Sequence, residues 1–515
     1  MTTAETARAG RREWIGLAVI ALPSMLYSMD LTVLYLAVPS LTQELEPSSS
    51  ELLWITDIYG FLIAGLLLTM GTLGDRIGRR RLLLVGAAGF GAASVVAAFS
   101  TSAEMLIAAR AVLGVAAATL APSTLSLIRN MFHDPAQRTV AIGLWVTSYS
   151  VGAAIGPLVG GLLLERFWWG SVFLVSVPVM ALLLAVGPRL LPEYRDPKPG
   201  RFDLPSATLS LVSVLAVVYG VKRMAEDGFG SQSAIAIVVG VAVGMAFLHR
   251  QSRLPDPIID LRLFRVPAFS ASLAANALAL FAVFGLDLFI AQYLQLVLGL
   301  GPFESGLWTL PSAAGFIVGS MLAPAIARVV RPAFLVAGGL AVAAIGVALL
   351  AQVGASSGVA LLSVGSVVMA LGAAQVVTLS TDLIVSAAPP ERAGTASGIS
   401  ETGTELGGAL GIAILGSIGT AVYRSDVSDA VHDGVSPHAA EAVRDTLGGA
   451  MGVADRVSVG LIDAATGAFA HGLQVAAATS AVLMLGMAVL AAVLLREPST
   501  GGVPDAQPAT AYSVR

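Results

Sequence analysis

Six carboxylates sit inside stretches that are otherwise apolar: Asp30, Asp57, Asp287, Asp382, Glu401 and Glu405. A charged side chain at the centre of a bilayer costs about 3 kcal/mol on insertion scales, so such residues are functional candidates by default. No other acid–base group competes for the role. The chain has no cysteine, and its five histidines (His133, His249, His432, His438 and His471) are expected in polar connections or at the ends of apolar runs. Disulfides, thiolate nucleophiles and thiolate metal sites are excluded, and no HExxH or DxD pattern lies in an apolar run. Neither a metal nor a cofactor is expected. Buried carboxyl groups favour the protonated form, whereas an approaching cation favours the charged one. A proton and a cationic molecule then compete for one negative charge, which is sufficient chemistry for exchange transport.

Spacing places these groups. Asp30 is sixteen residues beyond Trp14, about 24 Å along a helix at 1.5 Å per residue, in the outer half of its span. Glu401 and Glu405 are one turn apart and share a face; they are expected between the inner half and the middle. Asp57 falls near the outer end of its span and Asp382 near the inner end. Arg110 is a lone cation within an apolar run, expected to face other helices and to pair with an acid or with backbone carbonyls. Tyr35, Trp145, Tyr149 and Tyr293, with Tyr27, Phe281 and Phe284, offer ring faces to a flat cation. Ordinary packing is the alternative for each.

The elements that position these residues follow from composition. Of 515 residues, 56% are hydrophobic and only 12% charged; soluble chains carry about a quarter charged residues. The spacing predicts an all-α membrane protein with fourteen spans of about 20 residues. Among them are 14–38, 170–190, 204–222, 395–422 and 470–495. The polar N-terminal stretch has the flanks of a first membrane helix rather than of a cleaved signal. With both termini on the cytoplasmic side, 22 lysines and arginines fall inside, six outside and Arg110 within a span. That split supports the orientation, with the lipid bilayer as the partner surface. The sequence offers no reason to expect a nucleic-acid partner, and a monomer is expected.

The chain also repeats itself. Asp30 in SMDLTVLY matches Asp287 in GLDLFIAQY, and PAQR at 135–138 matches PPER at 389–392. Gly152, Gly156 and Gly161 recur as Gly407, Gly411 and Gly416, each 255 positions later. The expected division is a six-helix half over 1–191, an inserted helix pair over 192–265, and a second six-helix half over 266–515. Internal duplication with a site between the halves is the build of secondary transporters.

Four motifs carry a family resemblance. GTLGDRIGRRR at 71–81 resembles the loop motif of the major facilitator superfamily, and the surroundings of Arg110 are similar to its fourth-helix arginine motif. SYSVGAAIGPLVGG resembles the fifth-helix motif of its proton antiporters. MDLTVLYLAVPSL resembles the first-helix motif of the fourteen-helix drug:proton antiporters, with Tyr35-Leu36 where Val-Asn is frequent. The nearest likeness is to pumps for quaternary ammonium compounds and cationic dyes. It implies proton-driven efflux of lipophilic cations across a bacterial plasma membrane by alternating access. A dedicated proton-coupled exporter of one antibiotic or metabolite is the alternative. Asp30, Glu401, Glu405, Asp287 and Asp57 are the candidate proton and substrate groups.

The motif residues have physical readings as well. Gly71, Gly74, Asp75, Arg76, Gly78 and Arg79 form a short charged connection, with Gly74 and Gly78 expected to let the backbone turn. The resemblance implies that Asp75 and the arginines make cytoplasmic contacts as the halves rock; Asp75 could also face the positive end of a neighbouring helix. The second half has Pro324 where Asp75 stands, with Arg328 and Arg331 retained, which suggests a one-sided latch. Gly152, Gly156, Gly160 and Gly161 permit close helix approach, and Pro157 permits a bend. The long polar segment 424–469 is expected to hold two short helices interrupted at Gly448-Gly449, as a cap over the outer mouth or as a tolerated insertion. The seventh and eighth spans carry no acid and are expected to be a peripheral packing pair. An enzyme, receptor or channel fits the duplicated, antiporter-like pattern poorly.

Overall fold

Lipid offers the backbone no hydrogen-bond partner, so each apolar run closes its own bonds as a helix. The computed structural model describes residues 9–195, 203–227, 230–254, 257, 259–327, 329–387, 393–431 and 435–495. Arg8, Lys198, Arg201, Arg328, Arg392, His432, Arg496, Arg515 and the 389–392 repeat segment lie outside the described residues.

Among the described residues, fourteen helices are long and apolar enough to cross a membrane. The first half comprises α1 (Arg11–Leu45), α2 (Ser49–Ile77), α3 (Arg79–Ala98), α4 (Ala103–Met131), α5 (Pro135–Arg166) and α6 (Ser171–Leu190). The inserted pair is α7 (Leu204–Asp227) and α8 (Ser231–Arg253). The second half comprises α9 (Pro267–Gln292), α10 (Pro302–Ile326), α11 (Pro332–Leu350), α12 (Val359–Ser386), α13 (Ala393–Ser428) and α14 (Val459–Leu494). An even number of spans puts the start of α1 and the end of α14 on one side, here the termini face; the other is the far face.

Several boundaries differ from the sequence expectation because helices run past the apolar core wherever polar residues can cap them. α14 begins at Val459 rather than 470, with the Ser458 side chain accepting from the Leu461 amide. The polar connection between α13 and α14 is correspondingly shorter than 424–469. It holds two short helices, Pro437–Asp445 and Leu447–Gly452. They part at Thr446, whose hydroxyl caps the second one by accepting from Gly449 N; Gly448-Gly449 therefore lie inside that helix, not at the break. His471 is likewise a helical residue of α14, its Nδ1 2.6 Å from Asp426 on α13. α6 is broken at Val175, and α9 ends in a π turn over Tyr293–Val297.

The 71–81 stretch is not a loop. α2 continues through Gly74 to Ile77, and only Gly78 leaves the helix, at φ 111°. Asp75 pairs at 2.5 Å with Arg79, the first residue of α3. The Arg80 guanidinium donates to the carbonyls of Pro188 and Leu191, and Glu193 accepts from the Arg80 amide. These contacts hold the first half to itself.

Packing repeats between the halves. α1 lies on α5 as α9 lies on α13; α2 on α4 as α10 on α12; α3 on α4 and α6 as α11 on α12 and α14. The glycine series explains how closely. A Cβ at Gly152 would overlap the Met25 carbonyl of α1, and one at Gly407 the Ala277 carbonyl of α9. The last glycine of each series faces the opposite half: Gly161 meets Phe303 of α10, and Gly416 meets Leu53 of α2. The seams α5–α10 and α2–α13 thus join the halves, and these contacts lie toward the far face. There Gln295 donates to the Leu36 carbonyl at 3.0 Å. The short helices cover the end of α1, with Gly448 against Thr42 and the Ser49 hydroxyl donating to Asp445 O.

α7 departs from the expectation of a peripheral pair. It packs against both α2 and α13 and so covers one of the two seams.

Candidate functional site

The site is built from residues of α1, α2, α4, α5 and α13. On α1, Tyr27 and Asp30 are three residues apart and share a face. Arg110 of α4 donates through Nη1 to Asp30 Oδ2 at 2.5 Å and through Nε to the Ile55 carbonyl of α2 at 3.1 Å. Its guanidinium lies 4.5 Å from the centre of the Tyr59 ring. Arg110 is 1% exposed and Asp30 8% exposed. A pair this deeply buried is held by both charges; removing one leaves the other unpaired at a cost of about 3–5 kcal/mol.

Tyr27 connects this pair to the second half. Its ring lies 6.3 Å from that of Tyr59 and 5.6 Å from that of Tyr149. Its hydroxyl donates to Glu405 Oε1 of α13 at 2.6 Å. Glu405 is buried, while Glu401, one turn earlier, is half-buried; both lie within electrostatic range of Tyr149. The result is a continuous polar and aromatic path from Asp30 through Arg110, Tyr59 and Tyr27 to Glu405. It crosses the interface between the halves.

The other sequence candidates are placed elsewhere. Asp287 on α9 is half-buried and, among the described residues, has no ion-pair or hydrogen-bond partner. The buried Tyr35 ring is in its electrostatic range. Its symmetry mate Asp30 differs because α12 supplies no arginine: Ser366 stands as far into α12 as Arg110 stands into α4. Trp145 donates to the Thr124 hydroxyl at 3.1 Å. Tyr293 does not join the cluster; it is fully buried and donates to the carbonyls of Gly354 and Ser357. Asp382 is exposed.

Asp57 is not an interfacial polar group. Lys222 of α7 places Nζ 2.9 and 2.8 Å from its two carboxylate oxygens, and both side chains are 0% exposed. The same Nζ lies 3.8 Å from the centre of the Trp54 ring. By sequence Lys222 is one of the six cations counted outside, because the apolar run 204–222 ends there; α7 in fact continues to Asp227. Tyr59 and Glu193 were missed as well. The only signal for Tyr59 was its position one turn after Ile55 on the helix carrying Asp57. Among the described residues no group of three His, Cys, Asp or Glu side chains could hold a metal ion.

The Major Facilitator Superfamily model matches residues 20–412. The chain is 44% identical over 498 residues to the multidrug efflux pump LfrA of Mycolicibacterium smegmatis, spanning 96% of this chain and 98% of that one. It is 35% identical over 489 residues to the methyl viologen resistance protein SmvA of Salmonella typhimurium, spanning 92% and 97%. It is 32% identical over 440 residues to the tetracenomycin C resistance and export protein of Streptomyces glaucescens, spanning 84% and 82%. Among solved structures, a bacterial homologue of the human lysosomal transporter Spinster, inward-facing and unoccupied, superposes with a TM-score of 0.68 at 19% identity. The match covers 95% of this chain and 98% of that chain; it bears on the fold alone.

Proposed function

The chain belongs to the Major Facilitator Superfamily, and we propose that it exports lipophilic cationic drugs from the bacterial cytoplasm in exchange for protons. The termini face is assigned to the cytoplasm because the sequence puts 22 lysines and arginines in the connections expected on that side. The carrying observation is Glu405: among the described residues it has no cationic partner, and a tyrosine of the other half holds it. Asp30 and Asp57 are neutralised by Arg110 and Lys222. The negative charge left for a cation is therefore on Glu405, Glu401 and Asp287.

The cycle follows from competition at that charge. A flat cation entering between the halves is attracted by the α13 carboxylates and by the faces of Tyr27 and Tyr149. Its charge favours proton release, and a proton arriving from outside favours release of the cation. Because the carboxylate sits on one half and its tyrosine donor on the other, occupancy also bears on how the halves meet. Each net charge moved inward yields about 2.3 kcal/mol per 100 mV, so the membrane potential assists export when more protons enter than positive charges leave. The methyl viologen resistance relative supports a cationic substrate, methyl viologen being a dication, and the multidrug efflux relative supports a broad range. The tetracenomycin C exporter supports the second reading, a dedicated pump for one compound.

Ethidium transport in everted membrane vesicles under an imposed pH gradient tests the proposal. Gradient-driven uptake by the native protein, reduced at least tenfold in Glu405→Gln, is expected. Equal uptake by both would overturn the site assignment. Failure of the native protein to move any of a panel of cations would leave the dedicated exporter.

A further inference from the structure

The inserted pair α7–α8 is tied together along its length. The Ser213 hydroxyl donates to the Gly240 carbonyl at 2.8 Å. At the termini face Arg250 pairs with Asp203 at 2.9 Å and Gln251 donates to Ser206 at 2.7 Å. These bonds tie α7 and α8 into one hairpin. Its contacts with the two halves differ in kind. Toward α2, Lys222 is fully buried on Asp57 and beneath Trp54. Separating them would leave a charge unpaired in an apolar environment, a large penalty. Toward α13, α7 presents Val218, with Val214 and Leu215 beside it, to Ala409, Ala413, Leu406 and Leu410, an apolar contact whose attraction is non-directional.

We propose that the Lys222–Asp57 ion pair fastens α7 and α8 to the first six-helix half, so that the hairpin travels with that half while α13 slides along it. The inference rests on the reading of the chain as an alternating-access pump. It makes Lys222 a positioning residue: it holds α7 over the α2–α13 seam and touches no substrate.

The chain has no cysteine, so introduced pairs can be cross-linked without background. A Cβ at Gly65 of α2 would lie 3.7 Å from Leu211 Cβ of α7, and one at Gly60 of α2 would lie 3.2 Å from Ala409 Cβ of α13. Disulfides need about 3.5–4.5 Å, so both pairs are in or near range. Oxidation of the Gly65→Cys, Leu211→Cys protein is expected to leave vesicle efflux within about twofold of its reduced form. Oxidation of Gly60→Cys, Ala409→Cys is expected to lower efflux more than tenfold, with recovery in reductant. Loss of efflux on linking α2 to α7 overturns the proposal.

Charge exchange supplies a second readout. Lys222→Ala is expected to lower efflux at equal membrane level, and the double variant Asp57→Lys, Lys222→Asp to restore it in part. Native efflux from Lys222→Ala overturns the proposal; if that variant does not fold, the cross-links on otherwise native protein decide. If the native protein exports nothing, the functional reading fails, and spin-label distances still decide the mechanical claim. Labels at Ser252 and Val85 of the first half should keep one distance between pH 5 and pH 8, while labels at Ser252 and Val329 of the second half should take two. A first distance that varies, or a second that never does, overturns it.

Discussion

The Tyr27 hydroxyl donates to Glu405 Oε1 at 2.6 Å, although 378 residues separate them in sequence and they belong to different halves. It joins a carboxylate without a cationic partner among the described residues to a ring already packed against Tyr59 and Tyr149.

Tyr27→Phe keeps the ring and deletes that donor. A buried acceptor left unsatisfied costs about 1–3 kcal/mol, here on the substrate-free state. Raising the substrate-free state alone tightens binding, so cation affinity is expected to rise several-fold while expression and fold persist. Equilibrium dialysis with tetraphenylphosphonium measures it; an unchanged dissociation constant contradicts the expectation.

Asp30 and Arg110 should be interdependent. Asp30→Asn or Arg110→Met alone leaves a buried charge or its bonding partners unmatched, a loss of about 3–5 kcal/mol. The double variant removes both charges and is expected to recover part of the melting temperature lost in either single one. Thermal unfolding monitored by size-exclusion chromatography reads this directly. Additive losses would mean that the pair is not coupled.

The clasp at the termini face of the inserted hairpin should depend on pH. Burial pushes the Asp203 carboxyl up, but hydrogen bonds from Ser206 and Arg250 outweigh it and hold it below the usual carboxylate range. A carboxyl depressed in the folded state adds stability above its unfolded value, about pH 4, and loses it as pH falls through the folded value. Asp203→Asn is therefore expected to speed hydrogen exchange at the start of α7 a few-fold at pH 7. At pH 3, after correction for intrinsic rates, the difference should shrink. A constant difference across that range would contradict the linkage.

Glycines at close helix contacts should differ sharply from glycines elsewhere. A Cβ at Gly411 would overlap the Phe281 carbonyl, whereas one at Gly467 or Gly486 of α14 meets nothing within 4 Å. Because the obstacle is backbone, Gly411→Ala is expected to cost about 1–3 kcal/mol of stability, as overpacking does. Gly486→Ala should be neutral or slightly stabilising. Melting temperatures of the two variants compare them.

Much of the architecture was readable because it rests on local, repeated signals. Apolar run length marked the spans, the 255-residue glycine offset marked the duplication, and a lone arginine in an apolar run pointed to a buried partner. What escaped the sequence depends on partners brought together by folding. Lys222 at the end of an apolar run reads the same whether its long stem reaches water or buries its charge on another helix. Only the proximity of α2 reveals the second case. Gly74 resembled a turn glycine, yet its place is helical and close to Arg79. Tyr293 looked like an available ring until the α11–α12 connection was seen to accept its hydroxyl.

The most direct test of the site is proton release on cation binding by purified protein in weakly buffered solution. Addition of tetraphenylphosphonium should release protons from the native protein and release at least tenfold fewer from Glu405→Gln, with cation affinity reduced in parallel. Equal release from both proteins would contradict the assignment of the exchanging charge to Glu405.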